Sequence, residues 1–114
     1  MLSVPELIKA ASENVRRIDA ASALSECAEK DGLIIDVREP VEASEKPTKC
    51  TANIPRGVLE LKISGICEDP DKAIYLHCGG GGRATLAAEQ LQRLGYTNVT
   101  AISSSVDEIR ALQK

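Results

Sequence analysis

Aromatic side chains are almost missing from this 114-residue sequence, which contains two tyrosines and neither phenylalanine nor tryptophan. Aromatic rings are the surfaces on which single-stranded nucleic acids stack their bases. The formal net charge is −3 at pH 7, so the positive field that attracts a phosphate backbone is missing as well. We therefore expect no nucleic-acid partner.

Long apolar runs are also missing. No segment approaches the length of about 20 apolar residues that a helix needs to cross a bilayer. The opening segment "MLSVPELIKAASENVRR" lacks the basic start and the continuous apolar centre of a signal peptide. We expect a cytoplasmic protein without membrane contact, and 43% hydrophobic residues are enough for one core.

The cysteines form no C-x-x-C pair. The sequence has four of them, Cys27, Cys50, Cys67 and Cys78, and no two are separated by the two residues typical of zinc and redox motifs. In a reducing compartment such residues are mostly free thiols. A disulfide framework and a structural metal site are therefore disfavoured.

Strand and helix patterns alternate along the chain. Ser3 and Glu6 form a capping-box pattern ahead of an apolar stripe, which predicts an N-terminal helix. A helix capped by Asp19 is predicted to bury Leu24, Cys27 and Ala28 and to end at Gly32. Further helices are predicted after the glycine run, ending at Gly95, and after Ser105, and the five predicted strands are "RRID" at 16–19, "LIIDV" at 33–37, "GVLELKI" at 57–63, "AIYLHC" at 73–78 and "NVTAI" at 98–102.

The segment 39–56 interrupts this alternation. It is polar and contains three prolines, so it is predicted to be mainly loop with one short helical turn at 41–44. Strands that alternate with helices predict an α/β fold with a mainly parallel sheet covered on both faces. In such sheets ligands bind beyond the carboxyl ends of the strands.

The stretch "IYLHCGGGGRATLAAEQLQRLGY" places a thiol, Cys78, at one of these carboxyl ends. Glycines without Cβ atoms can turn successive N–H groups inward, and the following helix adds its positive N-terminal dipole. This field favours thiolate over thiol, and Arg83 can add a full positive charge. The pattern therefore predicts a nucleophilic cysteine in an anion-binding loop.

Each of these residues also has a purely structural interpretation. Cys78 could be a buried core thiol, the glycines a flexible linker, and Arg83 a helix-start residue paired with a carboxylate. His77, the only histidine, could tune Cys78, but a packed or partly exposed role is favoured, because neighbours on a strand point to opposite faces. Cys50 and Cys67 could resolve a persulfide on Cys78 as a disulfide, while Cys27 is placed in a helix core.

Three segments, in this order, carry a family resemblance: "IIDVREPVE" at 34–42, "NIPRGVLEL" at 53–61 and "HCGGGGRATLAAEQLQRLGYTNV" at 77–99. Together they resemble the single-domain rhodanese-like sulfurtransferases. The resemblance implies a three-layer α/β fold with a central parallel sheet of about five strands flanked by helices. It divides the chain into an N-terminal helical extension, 1–16, and a rhodanese-like domain, 17–114.

The resemblance also implies roles for individual residues. Cys78 would carry the transferred sulfur, and the peptide N–H groups of the loop would hold the bound anion or persulfide, a role that falls on Gly79, Gly80, Gly81, Gly82 and Arg83. Asp36 and Arg38 match the family's "DVRE" element, which is usually a structural ion pair near the site. Asn53 stands where the family commonly has histidine, and "SSSVDEI" replaces its glycine-rich turn. No metal or organic cofactor is implied.

The predicted function is sulfur transfer from thiosulfate or a persulfide to a thiol or other nucleophile, as in a thiosulfate:cyanide sulfurtransferase. A protein thiol is a further candidate acceptor. The alternatives are a non-catalytic rhodanese-like interaction module and a cysteine phosphatase or arsenate reductase. Because the loop itself offers only N–H groups, a helix end and Arg83, the sequence predicts that thiosulfate loads Cys78 more slowly than a persulfide does.

Overall fold

The computed structural model describes all 114 residues. They form one parallel sheet of five strands, with helices between the strands. The elements in chain order are α1 (Val4–Ser12), β1 (Arg16–Ile18), α2 (Ala20–Lys30), β2 (Leu33–Asp36), α3 (Pro40–Glu45), β3 (Ala52–Asn53), α4 (Leu59–Lys62), β4 (Ile74–His77), α5 (Gly82–Leu94), β5 (Val99–Ile102) and α6 (Val106–Leu112). The strand order in the sheet is β1-β5-β4-β2-β3, and every neighbouring pair is parallel. The predicted α/β class is therefore confirmed.

Helices cover both faces of this sheet. On one face α5 packs on β4 and β5 and is itself contacted by α1 and α4, around a core that includes Ile35, Leu76 and Leu91. On the other face α2 and α6 pack together over a smaller cluster that includes Tyr75 and Ile102. The chain thus has three layers, and no helix combines the length and the apolar character needed to cross a membrane.

Side-chain caps begin three of the helices where the sequence predicts them. The Ser3 hydroxyl accepts from the Glu6 N–H and the Glu6 carboxylate accepts from the Ser3 N–H, which completes the capping box of α1. The Asp19 carboxylate caps α2, and the Ser105 hydroxyl caps α6. Each such cap stabilises its helix by about 1 kcal/mol, because it pairs a backbone donor that the helix leaves free.

The predicted strand over 57–63 is wrong. These residues form α4 between two short 3₁₀ turns, Arg56–Val58 and Ile63–Gly65. Leu59 and Ile63 are buried one helical turn apart, while Leu61 is 81% exposed. The fifth strand of the sheet is instead β3, a two-residue edge strand inside the segment predicted to be mainly loop. The short helical turn predicted in the same segment is present as α3.

The predicted end and buried face of α2 are also corrected. Asp31, not Gly32, adopts the left-handed conformation that ends the helix, with φ of 51°. Position 32 requires a glycine because of close packing, since a Cβ there would lie 3.0 Å from the carbonyl oxygen of Ala73. The buried residues of α2 are Ala20, Ala23 and Cys27, so Leu24 is only partly buried and Ala28 is exposed.

Two helix-end leucines also differ from expectation. The spacing of apolar residues before Gly95 and after Ser105 predicts Leu94 and Leu112 on the buried faces of these two helices, yet each is about half exposed. Each is the last residue of its helix, α5 or α6, and the buried residues of both helices lie in the earlier turns.

Candidate active site

Three loops meet at the carboxyl edge of the sheet. Arg38 lies just beyond β2, Cys78 directly follows β4, and Ser103 directly follows β5. The Val106 N–H at the start of α6 donates to the carbonyl of Gly79 at 3.0 Å, which ties two of these loops together. This edge is where parallel sheets bind their ligands.

The sulfur of Cys78 is enclosed by the loop that follows it. Cys78 is 1% exposed, and its Sγ accepts hydrogen bonds from the N–H groups of Gly81 at 3.1 Å and Ala84 at 3.4 Å. Gly81 is among the five predicted N–H donors, whereas Ala84 is not. Ala84 reaches the sulfur because it lies in the first turn of α5, whose N–H groups have no partner within the helix.

The four remaining predicted donors are free. The N–H groups of Gly79, Gly80, Gly82 and Arg83 make no hydrogen bond to the sulfur or to any other group of the protein. Backbone donors that the protein leaves unpaired next to a helix N-terminus are a typical anion-binding arrangement. The loop therefore combines a buried thiol with donors that an anion could use.

Gly81 is the glycine on which the loop shape depends. Its φ is 98°, a left-handed conformation that side chains rarely adopt, and it is the residue from which α5 begins. Its carbonyl accepts hydrogen bonds from both the N–H and the hydroxyl of Thr85, at 3.0 and 2.7 Å. Gly81 therefore fixes the path of the chain from the sulfur into the helix.

We expect Gly81→Ala to destabilise the protein by about 1–3 kcal/mol, the usual cost of holding a non-glycine residue in this region. The added Cβ would also lie 3.2 Å from the carbonyl oxygen of Ser103. Gly80→Ala is the matched control, because a Cβ there has no neighbour within 4 Å. Urea unfolding of both variants checks this, and equal stability would show that the backbone at Gly81 is not constrained.

Arg83 pairs with a carboxylate from the neighbouring loop. Its guanidinium donates to both Glu42 oxygens, at 2.6 and 2.9 Å, and both side chains are about 40% exposed. These hydrogen bonds lower the pKa of Glu42 to about 2, so the carboxylate is ionised at neutral pH. The guanidinium also borders the loop, since a Cβ on Gly79 would lie 3.3 Å from it. Its positive charge is thus near the loop but balanced by Glu42.

Asp36 and Arg38 form a buried ion pair that holds α3 in place. The Arg38 guanidinium contacts both Asp36 oxygens, at 3.0 and 2.8 Å, and the two residues are 2% and 1% exposed. The same guanidinium donates to the backbone carbonyls of Glu42 and Lys46, at 3.2 and 2.9 Å. Since α3 carries Glu42, the ion pair fixes the partner of Arg83 without touching the sulfur.

Asn53 supports the same loop from the edge strand. Its side-chain amide donates to the backbone carbonyls of Asp36 and Arg38, at 2.9 Å each. At this position, where the resemblance would place a histidine, the chain therefore uses an amide as a backbone clamp.

His77 lies on the opposite face of the sheet from Cys78. Cys78 belongs to the cluster of Ile74 and Leu76, whereas His77 shares the strand face of Tyr75. Its Nε2 is 2.9 Å from the Thr48 hydroxyl, and burial lowers the pKa of the imidazole. His77 is therefore a neutral, packed side chain rather than a partner of the thiol.

The other cysteines lie away from Cys78. The Tyr96 hydroxyl, just beyond the C-terminal end of α5, donates to the backbone carbonyl of Cys67. Cys78 lies near the other end of this helix, which has 13 residues and is about 20 Å long. Cys50 precedes the edge strand β3, two strands and about 10 Å from β4. A disulfide needs α-carbons within about 7 Å, so neither can resolve Cys78 in this conformation. No group of three His, Cys, Asp or Glu side chains is arranged to hold a metal.

The N-terminal helix contributes residues that the sequence did not assign to the site. Ile8 of α1 lies against the loop, because a Cβ on Gly82 would be 3.0 Å from its Cδ1. Lys9 of α1 and Arg17 of β1 line a cleft together with Gly80 and Gly82. Glu42 lies in the segment 34–42, which resembles the rhodanese-like family, whereas Lys9 and Arg17 lie outside all three segments that carry the resemblance.

Residues 19–112 match the family model of the rhodanese-like domain. A protein of Allochromatium vinosum named sulfurtransferase is 28% identical over 93 residues, which are 81% of this chain and 85% of that protein. The match covers both the Asp36–Arg38 element and the Cys78 loop by position.

Two solved structures are similar in fold. The polysulfide-sulfur transferase of Wolinella succinogenes, a homodimer, is 26% identical with a TM-score of 0.69, over 90% of this chain and 77% of that one. A Rhodopseudomonas palustris protein of unknown function, described as a possible tyrosine phosphatase, is 25% identical with a TM-score of 0.82, over 98% of this chain and 92% of that one.

Proposed function

The chain belongs to the rhodanese-like domain family, and from this premise we propose that it is a sulfurtransferase that carries a sulfane sulfur on Cys78. One observation carries the proposal. The buried sulfur of Cys78 accepts two backbone N–H groups at the start of α5, beside four more N–H groups that the protein leaves unpaired. The proposed catalytic residues are Cys78 and Arg83, with the loop glycines as the substrate-binding residues.

The first half-reaction loads the sulfur. The Cys78 thiolate attacks the sulfane sulfur of thiosulfate or of a persulfide, a new S–S bond forms, and the bond within the donor breaks. The leaving sulfite or thiolate takes the electron pair of that bond, so no external oxidant is needed. The free N–H groups of Gly79, Gly80 and Gly82 are suited to stabilise the negative charge on the sulfur as it moves.

The second half-reaction unloads it. A thiolate or cyanide attacks the outer sulfur of the Cys78 persulfide, and the electron pair of the broken S–S bond returns to Cys78. Dividing the transfer between two displacements is covalent catalysis, and it predicts ping-pong kinetics. The acceptor class is a soft nucleophile, and a thiol on another protein fits it as well as a small thiol does.

The test is the intact mass of the wild-type protein before and after incubation with thiosulfate or a persulfide. We expect the protein to become one sulfur atom heavier, to return to its original mass when a thiol is added, and to lose the sulfur to cyanide as thiocyanate. If the protein gains sulfur from none of the donors, the proposal is overturned. It would leave the interaction module as the better description.

A phosphatase is the second candidate, because the Rhodopseudomonas palustris structure is described as a possible tyrosine phosphatase. The anion loop of such phosphatases places five residues between cysteine and arginine, whereas this loop has four, Gly79 to Gly82. The smaller ring suits one sulfur atom better than a tetrahedral phosphoryl group. Incubation with p-nitrophenyl phosphate should release no nitrophenol, and rapid release would favour the phosphatase.

We expect Arg83→Ala to slow sulfur loading by about tenfold or more, and Arg83→Lys to slow it less. Lysine keeps the positive charge beside Gly79 but lacks the planar fork that holds both Glu42 oxygens. Stopped reactions followed by intact mass give the loading rates. Equal losses in both variants would show that the bidentate geometry, rather than the charge, is what the reaction needs.

A further inference from the structure

Two clefts of different charge flank the Cys78 loop. The first, which we call the cationic cleft, has a volume of about 540 Å³ and is lined by Ile8, Lys9, Ser12 and Arg17 with Gly80 and Gly82. The second is smaller, about 300 Å³, and lies on the Gly79 side. The sulfur itself is enclosed between the loop and the first turn of α5, so a donor approaches the loop from one of these two sides.

The charges of the cationic cleft are free. Lys9 and Arg17 make no ion pair and no side-chain hydrogen bond, and no acidic residue lines this cleft. Arg17 is also held close to the loop, because its Nη2 lies 3.5 Å from the position of a Cβ on Gly81. Gly81 is the residue whose N–H donates to the sulfur, so a free guanidinium lies beside the loop residue that contacts Cys78.

The charges of the second cleft are largely used within the protein. Its two cations, Arg38 and Lys46, are paired with Asp36 and Asp107. Its remaining charged residues are acidic, and one of them, Glu45, has no cationic partner within the protein. An anion therefore gains from approaching the loop through the cationic cleft and loses from approaching through the other.

We propose that Lys9 and Arg17 bind the negatively charged, non-transferred part of the sulfur donor, and that this donor is a small organic persulfide bearing a carboxylate. The inference rests on the proposed sulfur transfer and names its donor class. The cleft volume lies in the range that takes small organic ligands, so thiosulfate alone is too small to fill it. The sequence identifies only one cation at the loop, Arg83, whereas the fold brings two more, Lys9 and Arg17, to the loop from the N-terminal segment.

The transfer is balanced with this donor. The Cys78 thiolate attacks the terminal sulfur of R–S–SH, and that sulfur moves to Cys78 together with its hydrogen. The donor S–S bond breaks, and its electron pair leaves on R–S⁻. The carboxylate of R stays in contact with Lys9 and Arg17 while the reacting sulfur passes into the loop, so the cleft orients the donor without taking part in the bond changes.

The experiment compares persulfides that differ in charge and little in size. Those of 3-mercaptopropionate, 2-mercaptoethanol and cysteamine carry a negative, a neutral and a positive group. The second-order rate of Cys78 loading is measured by intact mass for each, and divided by the rate of the same persulfide with a small neutral thiol to remove leaving-group differences. We expect the anionic persulfide to load about tenfold faster than the neutral one, and the cationic one to be slowest.

The decisive variant is Lys9→Gln combined with Arg17→Gln. It should lose the preference for the anionic persulfide while still loading sulfur, whereas Lys9→Arg with Arg17→Lys should keep the preference. The matched control is Lys30→Gln with Arg93→Gln, which changes the net charge equally at two exposed, unpaired residues outside the cleft. Circular dichroism of each variant verifies the fold.

The outcomes are distinct. A preference that survives in the Lys9 and Arg17 glutamine variant, or one that the control variant loses equally, would overturn the cleft as the binding site. Loading without any charge preference in the wild type would overturn the donor class but leave sulfur transfer intact. No loading by any persulfide would refute the proposed function, and the cleft assignment with it.

Discussion

Cys78→Ser is expected to lower sulfur transfer by about three orders of magnitude or more, because the hydroxyl cannot form the persulfide through which both half-reactions pass. Serine is close to cysteine in size, and its oxygen can accept from the same Gly81 and Ala84 N–H groups. The variant should therefore fold and melt near the wild type. Turnover of thiosulfate with cyanide, together with the mass of the peptide that contains position 78, measures the loss.

The control for this experiment is Cys50→Ser. Cys50 is the exposed cysteine, so it is the thiol most open to adventitious persulfidation. We expect Cys50→Ser to load sulfur and turn over at the wild-type rate. Retention of turnover in Cys78→Ser, or its loss in Cys50→Ser, would move the sulfur carrier away from the loop.

The turn from β4 into α5 was predictable because all its signals are local. An apolar strand, a thiol, four glycines and a helix pattern follow one another within 23 residues, 74–96, and the resemblance supplied a role for each. The structure adds a distinction that the sequence could not make. Gly81 alone of the four glycines has positive φ, and a Cβ on Gly80 would have open space around it. The four glycines therefore meet different structural requirements.

The error at residues 57–63 arose from a pattern that fits two periods. Leu59, Leu61 and Ile63 alternate with polar residues, which is typical of a strand, yet Leu59 and Ile63 are also spaced as neighbours on a helix. The fold buries those two and leaves Leu61 exposed. The true edge strand, β3, has only two residues, too few for any periodicity to show.

The cationic cleft was out of reach of sequence reasoning for a different reason. Lys9 and Arg17 are exposed, and about 60 residues or more separate them from the loop they flank. Neither exposure nor charge predicts where a side chain lies. The contact depends on β1 pairing with β5 at the edge of the sheet and on α1 packing against α5. Such placement is a property of the assembled fold rather than of any segment.

The buried pair of Asp36 and Arg38 should be the most sensitive point of the fold outside the apolar core. We expect Asp36→Ala to lower the free energy of unfolding by about 3–5 kcal/mol, because it leaves the 2% exposed guanidinium without its counter-charge. Asp36→Asn keeps the shape and removes only the charge, so it should be destabilising as well, but less so. Urea unfolding at neutral pH gives both values.

Arg56→Gln is the matched control, because Arg56 also pairs with a carboxylate, Glu60, four residues along the chain, but the two side chains are 25% and 34% exposed. Pairs at i and i+4 that water can reach contribute about 0.3–0.5 kcal/mol, since water screens the charges and solvates each of them when the pair breaks. The difference between the two variants measures burial, not the number of ion pairs. If Asp36→Ala and Arg56→Gln lower the free energy of unfolding by similar small amounts, water reaches the Arg38 guanidinium. The helix α3, with Glu42, would then be held in place by its backbone contacts rather than by the ion pair.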